Sequence, residues 1–549
     1  MRPQPTHRWD RETTLVSQLA AGASLLGFLF YFRRGDLLLY GDAVAHINIA
    51  RRVFDSQTPG PLQLGTVWLP LPHLLMIPFL ISDSAWQTGI GGAIPSVCAY
   101  VLGTAGIFRL VRGLLNVPLE PKPARFAGWL AAVIYASNPN LLYLQTTAMT
   151  ESLYLALFIW AVVHLGEFVQ ALAGPSSDTQ AAGSSFTKCG WCLVGACLTR
   201  YDGWFLAVAI GLAASIVIVG WKGNRKALRS AFSKFVLLTA AAPALWLGYN
   251  AIIYRNPLEF ANGPYSAKAI EHKSATAGQS GHPGSNDLPV AFSYFLKSAE
   301  LNMGEGGWQR LWIALLVAGT LIVFAIDRRL WPLLMLWIPV PFYVFSVAYG
   351  GVPIFVPAWW PFSYYNARYG IELLPAFAVF AAITMHFAVC RMRTRPTRIA
   401  AGLVPVLLLA ASYALIWRAQ PICYREAWVN SQSRIALETE LASTLRMLPH
   451  DSILLMYLGD HVGALQRVAI PLSRTINEGN HRPWKKPTDA QGLWERALAE
   501  PQRYVDYVVA MDGDPVAAGV QKRDLSSMVV IRTAGQPAAT LYWTHRPSR

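Results

Sequence analysis

The chain is divided into apolar runs of roughly twenty residues separated by short charged segments, a pattern suited to a bundle of helices crossing a bilayer. In hydrocarbon no water is at hand for a backbone amide, so each run must close its own hydrogen bonds as a helix. The runs lie near 13–32, 88–110, 126–144, 151–171, 188–199, 202–220, 235–254, 308–326, 330–349, 369–390 and 399–418, which predicts about eleven transmembrane helices. Of 549 residues, 54% are hydrophobic and only 14% charged, too apolar for a soluble enzyme of this length. The formal charge of +15 raises nucleic acid as a partner, but the basic residues punctuate the apolar runs instead of gathering on one face. Membrane topology accounts for the charge, and no nucleic-acid partner is expected.

The basic clusters also orient the chain. Lys222, Arg225, Lys226, Arg229 and Lys234, then Arg328 and Arg329, then Arg391, Arg393, Arg395 and Arg398, each sit between two apolar runs, as cytoplasmic loops do. The first run follows Arg2, Arg8 and Arg11 and ends in Arg33 and Arg34 without a small-residue cleavage site, which reads as a retained anchor. The Pro-interrupted stretch Trp68–Leu80 is short for a span. Laid along the interface, it keeps Arg109, Arg112, Lys122 and Arg125 inside; counted as a span, it inverts every cluster. The expected protein is therefore a multi-pass protein of the plasma (inner) membrane with a cytoplasmic N-terminus. Residues 1–419 form the membrane domain, with an interfacial outer loop at 33–87 and a second outer loop at 255–307.

Within the first loop, Ala43–Phe54 has helical spacing and reads as a helix lying on the membrane. Ser274–Asp287 has neither apolar period nor charge block, so a mobile stretch able to act as a lid is expected there. From Pro421 the hydropathy changes. Glu426–Leu448 reads as an amphipathic helix, and Ser452–Leu458, Tyr504–Met511, Met528–Thr533 and Thr540–Thr544 as strands, so 420–549 is expected to be an extracytoplasmic soluble α/β domain. The six cysteines lie almost entirely in apolar segments, and Cys189 and Cys192 lack the second pair that a zinc or redox site needs.

Ionisable residues at the edges of apolar runs are costly and so mark candidate function. Four places stand out, all on the expected outer face. Asp42 opens the interfacial helix, either as a carboxylate capping backbone N–H groups or as a general base, with His46 one turn on. Glu151 enters an otherwise apolar helix with no basic residue beside it in sequence, favoured there by the helix dipole or by chemistry. Arg200 and Asp202 join two short runs, as a local ion pair or as the lining of a cavity. Arg368, followed by Tyr369 and Glu372, either snorkels to headgroups or offers its fork of donors to a lipid phosphate. The aromatic residues around it, with Trp359 and Trp360, suit an interfacial belt and also suit stacking on a sugar.

Taken in order, several features resemble the GT-C glycosyltransferases over most of the chain. They are the acid after the first run, the interfacial helix, Trp68-Leu69-Pro70-Leu71-Pro72, the stretch from Asn138-Pro139-Asn140 to Thr150-Glu151-Ser152, Leu198-Thr199-Arg200 and Asn366-Ala367-Arg368-Tyr369. That superfamily includes the protein mannosyltransferases, aminoarabinose transferases and GPI mannosyltransferases. The resemblance implies a GT-C-like fold and transfer of a hexose or mannose-like sugar from a polyprenyl-phosphate carrier to a lipid, glycan or protein acceptor. It implies Asp42 as the general base and Glu151 as a second catalytic group orienting sugar or acceptor. Arg368, helped by Arg200, would meet the carrier phosphate. His46, His73, Asp202 and Tyr369 complete the implied substrate-binding set. Protein mannosyltransferases carry an Asp-Glu pair, and oligosaccharyltransferases carry further acids that hold a divalent ion; here Ala43 follows Asp42, so no cofactor is assigned and a metal is doubtful.

Two other readings compete. In a transporter or flippase for a lipid-linked sugar, Glu151, Arg200 and Asp202 would form an intramembrane relay. Such groups usually sit near the midplane between repeated halves, whereas here they fall on one expected face and no repeat is evident. A structural scaffold would leave the outer carboxylates without a purpose.

Overall fold

The computed structural model describes residues 10–115, 121–173, 178–221, 223, 225–274, 281–326, 328–392, 394–459, 461–480, 491–521 and 525–545. The first helix, α1 (Arg11–Arg34), shows how the sequence sets its ends. Asp10 caps it by accepting from the Thr13 amide at 2.9 Å, and Gly35, with φ 76°, closes it in the left-handed conformation that glycine adopts without strain. The helix expected after the first run follows as α2 (Gly41–Arg52), and Trp68–Leu80 contains only the short helix α3 (Leu71–Met76) and a 3-10 turn. Next come α4 (Ile90–Leu115), α5 (Pro121–Ala136), α6 (Pro139–Leu144), α7 (Glu151–Ala173), α8 (Thr179–Cys197), α9 (Asp202–Gly220) and α10 (Arg225–Tyr254). Farther along the chain are α11 (Leu288–Met303), α12 (Gly307–Ile326), α13 (Pro339–Tyr349), α14 (Leu374–Cys390), α15 (Arg395–Ala419) and α16 (Ile422–Leu445).

Among the described residues, nine helical segments are long and apolar enough to cross a membrane. Two segments read as spans fall short of that standard. The 126–144 run breaks at Ser137, because Pro139 disfavours a helical residue before it, which leaves the 16-residue α5. The 19-residue α8 is long enough but not apolar enough. Its Cys189 and Cys192 are free thiols.

The 255–307 region departs from the expectation of a loop. It contains α11, capped by Asp287 and started by Pro289, which buries Ala291, Tyr294, Phe295, Ser298 and Asn302 on one helical face. Of the stretch expected to act as a lid, residues 275–280 lie outside the described residues; near its end the Asn286 amide donates to the Ala348 carbonyl.

At Gln420 (φ 66°) and Pro421 the chain turns from α15 into α16. Beyond α16 lies a five-stranded sheet of β1 (Leu454–Met456), β2 (Thr475–Ile476), β3 (Tyr507–Met511), β4 (Ser526–Ile531) and β5 (Ala539–Trp543), in the order β2-β1-β3-β5-β4. The first three strands are parallel, and β5 and β4 add antiparallel. Side chains alternate across it. Leu454, Met456, Val509 and Met511 join the core that continues into the membrane domain, while Leu455, Val508 and Ala510 pack with Trp494, Ala497 and Val516 in a separate core. The C-terminal region is thus seated on the helical bundle by one face of its sheet.

Candidate active site

The Arg368 backbone is held before its side chain acts. Asn366, at φ 54°, makes the turn and donates to the Pro353 carbonyl, and Asn302 of α11 donates to the Ala367 carbonyl at 2.9 Å. Gly370 lies so close to α11 that a Cβ there would meet the Ser298 backbone at 2.3 Å, so only glycine fits. The 3-10 turn Ala367–Leu373 then leads into α14.

From this turn the guanidinium of Arg368, buried except for a few per cent, meets three carboxylates on three other elements. Its Nη2 donates to Asp42 Oδ2 at 2.6 Å, its Nε to Glu151 Oε1 at 3.2 Å and its Nη1 to Glu426 Oε1 at 3.0 Å. Glu426, on the second turn of α16, also accepts from the Arg368 amide at 3.1 Å, so one carboxylate holds both backbone and side chain. Glu151 and Glu426 are buried, whereas the Asp42 side chain is 41% exposed. Of the three, Asp42 is the one that an incoming molecule can reach.

Asp42 does not cap α2. Tyr40 holds the N-cap position without a side-chain bond, and the carboxylate, in the first turn, is drawn to Arg368. Arg368 likewise does not snorkel; its guanidinium lies against the Tyr40 and Tyr369 rings, at 5.2 and 5.0 Å from their centroids.

A second guanidinium lies beside the first. Arg200 donates to Asp202 at 3.1 Å, to Thr150 Oγ1 at 3.1 Å and to the Tyr343 hydroxyl at 2.6 Å, and Tyr343 in turn donates to Asp202 at 3.3 Å. The local ion pair and the shared network are therefore both present. Glu151 Oε1 sits 3.5 Å from Arg200 as well, and both guanidinium groups lie against the Tyr369 ring, 5.3 and 5.0 Å from its centroid. So Glu151, which has no basic neighbour in sequence, has two in space. Glu372 is fully buried 3.7 Å from Arg200, and neither of its oxygens accepts a hydrogen bond from the described residues.

His46 and His73 form a separate pair. His46 Nδ1 and His73 Nε2 are 2.8 Å apart, with the His46 ring tilted against Trp68. No hydrogen bond joins His46 to Asp42 among the described residues. Burial, with Arg368 and Arg200 nearby, pushes His46 down from 6.5 to about 3, and burial beside His46 and Arg52 pushes His73 well below its usual value. Both rings are thus neutral at pH 7. Because the unfolded chain takes up these protons near pH 6.5 and the fold resists them, stability contributed by the pair is fully present above pH 6.5 and is lost as pH falls toward 3. The thermal midpoint in detergent is expected to drop from pH 7 to pH 4.5, and to drop less in a His46→Gln/His73→Gln variant; an equal drop would contradict the assignment.

The Asn138-Pro139-Asn140 motif is a structural joint beside this site. Asn138 caps α6 through the amides of Asn140 and Leu141, donates to the Asn302 carbonyl at 2.9 Å, and Asn140 accepts from the Cys423 amide at 2.9 Å. It ties α6 to α11 and α16, which carry the Arg368 turn and Glu426. Among the described residues no group of three or more His, Cys, Asp or Glu side chains is placed to hold a metal ion.

Glu426 carries no signal in the sequence, because it lies in a helix whose composition reads as belonging to a soluble domain. Glu426→Gln keeps shape and removes one of the charges facing Arg368. A charge-assisted bond is worth about 1.5–3 kcal/mol, so a lower thermal midpoint in detergent is expected for the variant. An unchanged midpoint would reduce Glu426 to a packing residue.

No protein-family model matches the sequence, and no curated protein matches it. Two solved structures match almost end to end, and with the apolar bundle and small C-terminal sheet region they define the class: the chain is a polytopic helical membrane protein with the GT-C fold. Its likeness is to ArnT from Cupriavidus metallidurans bound to undecaprenyl phosphate, with a TM-score of 0.56 and 14% identity over 97% of this chain and 98% of that one. The same protein in the apo state matches with a TM-score of 0.53 and 15% identity over 95% of this chain and 97% of that one.

Proposed function

We propose that this protein is a membrane glycosyltransferase that moves a sugar, hexose or mannose-like, from a polyprenyl-phosphate carrier to an acceptor on the outer face of the plasma (inner) membrane. The observation that carries the reading is the half-exposed Asp42 carboxylate 2.6 Å from a buried, three-fold paired Arg368, in a fold like that of a protein crystallised with undecaprenyl phosphate. In this orientation the N-terminus is cytoplasmic and residues 420–549 are extracytoplasmic.

The chemistry follows from that contact. A carrier phosphate approaching Arg368 competes with Asp42 for Nη2, the one donor not turned toward a buried carboxylate. Docking of the donor thereby releases Asp42 as a base. The acceptor oxygen then attacks the anomeric carbon, its proton passes to Asp42, the bond from that carbon to the phosphate oxygen breaks, and the carrier leaves as polyprenyl phosphate. Arg368 holds the charge that grows on the leaving phosphate. Glu151 keeps Arg368 and Arg200 in register, and Arg200 with Asp202 and Tyr369 forms the wall behind them.

A transporter reading gains little from this geometry. Asp42, Glu151 and Asp202 lie in the first turns of their helices and Arg368 in the turn before α14, as befits a site at the end of a bundle. Purified protein in liposomes is expected to convert a polyprenyl-phosphate-linked hexose to free polyprenyl phosphate with the sugar appearing on an acceptor. Movement of the intact lipid-linked sugar between leaflets, with no cleavage, would instead favour the flippase.

A further inference from the structure

A second recess lies away from Arg368, at the edge of the C-terminal sheet. β1 and β3 run parallel side by side, and the chain leaves their carboxyl ends in opposite directions, toward β2 after β1 and toward β4 and β5 after β3. In open sheets of parallel strands such a divergence leaves a crevice in which ligands bind. Here it holds a cavity of about 390 Å³, lined by Tyr457 and His461 after β1, by Asp512 and Gly513 after β3, and by Tyr265 from the outer loop of the membrane domain.

The lining has a definite chemistry. Tyr265 and Tyr457 contribute aromatic side chains, and no Lys or Arg is among the described lining residues. Asp514 is already committed, accepting from the Ala517 and Met511 amides at 2.6 and 3.0 Å. The Asp512 carboxylate is exposed and accepts no hydrogen bond from the described residues. Gly513, at φ 86° and with no atom near its would-be Cβ, makes the turn between them. An exposed carboxylate beside aromatic residues, with no Lys or Arg among the described lining residues, suits a polyhydroxylated ring, neutral or bearing an amine, and repels phosphate or carboxylate.

We infer that this cavity binds a neutral or amine-bearing sugar unit of a glycan acceptor, an assignment of the acceptor that rests on the transferase reading above. The loop carrying Tyr265 continues into the helix Ala267–Ser274, whose Glu271 abuts Gly351 at the start of the segment ending in Arg368. The recess and the turn that carries Arg368 are thereby linked through this helix and the segment 351–368.

Isothermal titration of the full-length protein in detergent tests this with maltotriose and the glucosamine trimer as probes and glucose 6-phosphate as the anionic control. Saturable binding of either trimer is expected, weakened about tenfold or more, a loss near 1.4 kcal/mol, in a Tyr265→Ala/Asp512→Ala variant whose thermal midpoint matches wild type; both residues are exposed. Binding of the phosphorylated sugar alone, no trimer binding, or equal trimer binding by variant and wild type would each overturn the assignment. A parallel titration with a short-chain polyprenyl phosphate separates the two readings. If wild type and variant bind it equally while trimer binding is absent, the cavity assignment falls and the transferase reading stands. If wild type fails to bind it, the transferase reading falls, and the acceptor role of the cavity with it.

Discussion

Asp42→Asn is expected to lower sugar transfer by about 10²- to 10⁴-fold, the usual worth of a positioned general base, while leaving the protein folded and inserted. The amide keeps the size of the carboxylate and can still accept from Arg368 through its oxygen, so the 2.6 Å contact is weakened and not replaced by a void. What it cannot do is take a proton. Because Asp42 is exposed to 41%, the change strands no buried charge, and a normal thermal midpoint should accompany the loss of turnover. The rate should fall with carrier affinity unchanged or improved, since the competitor for Arg368 Nη2 has lost its charge. Transfer retained within a few-fold of wild type would show that another group accepts the acceptor proton.

Arg368→Lys should have the second largest effect, and on a different quantity. The guanidinium donates to Asp42, Glu151 and Glu426 from three separate nitrogens, a fork that a single ammonium cannot reproduce. Keeping the charge but losing the fork leaves at least one buried carboxylate short of its donor, and breaking a buried pair costs about 3–5 kcal/mol when one partner is removed outright. Lysine retains part of that. A clear fall in thermal midpoint is expected together with a fall in polyprenyl-phosphate affinity of about 10²-fold, near 3 kcal/mol. Native mass spectrometry with increasing lipid reads the affinity directly. A variant that binds the carrier like wild type would remove Arg368 from the phosphate role, whatever its effect on stability.

Much of this site was legible because charge is expensive beside hydrocarbon. Asp42, Glu151, Arg200, Asp202 and Arg368 each interrupt or edge an apolar run, so their positions alone raised the question that the geometry answers by bringing them together. The strands β1, β3, β4 and β5 were legible for a similar reason, as apolar runs in otherwise polar surroundings, whereas the two residues of β2 are too few to carry a period.

Glu426 was not legible. It lies in a helix of mixed polarity, and its meaning depends on a contact across 58 residues. The α11 helix differs from the expected loop although Asp287, Pro289 and the buried Ala291, Tyr294, Ser298 and Asn302 carry both a start signal and a helical period, because the polar stretch before it masks that period in the sequence. Asp42 as an N-cap failed for the reverse reason: local preference favoured the amides, and a guanidinium from 326 residues away offered a stronger bond.

Whether Asp42 and Arg368 together transfer a sugar from a lipid carrier is decided by mass spectrometry of lipid-linked sugars and envelope glycans from cells carrying the wild-type protein, no protein, or Asp42→Asn. The expected result is one sugar-bearing polyprenyl phosphate that accumulates, and one glycan sugar that disappears, in both the null and the Asp42→Asn cells. Carrier pools and glycans identical in all three would contradict it.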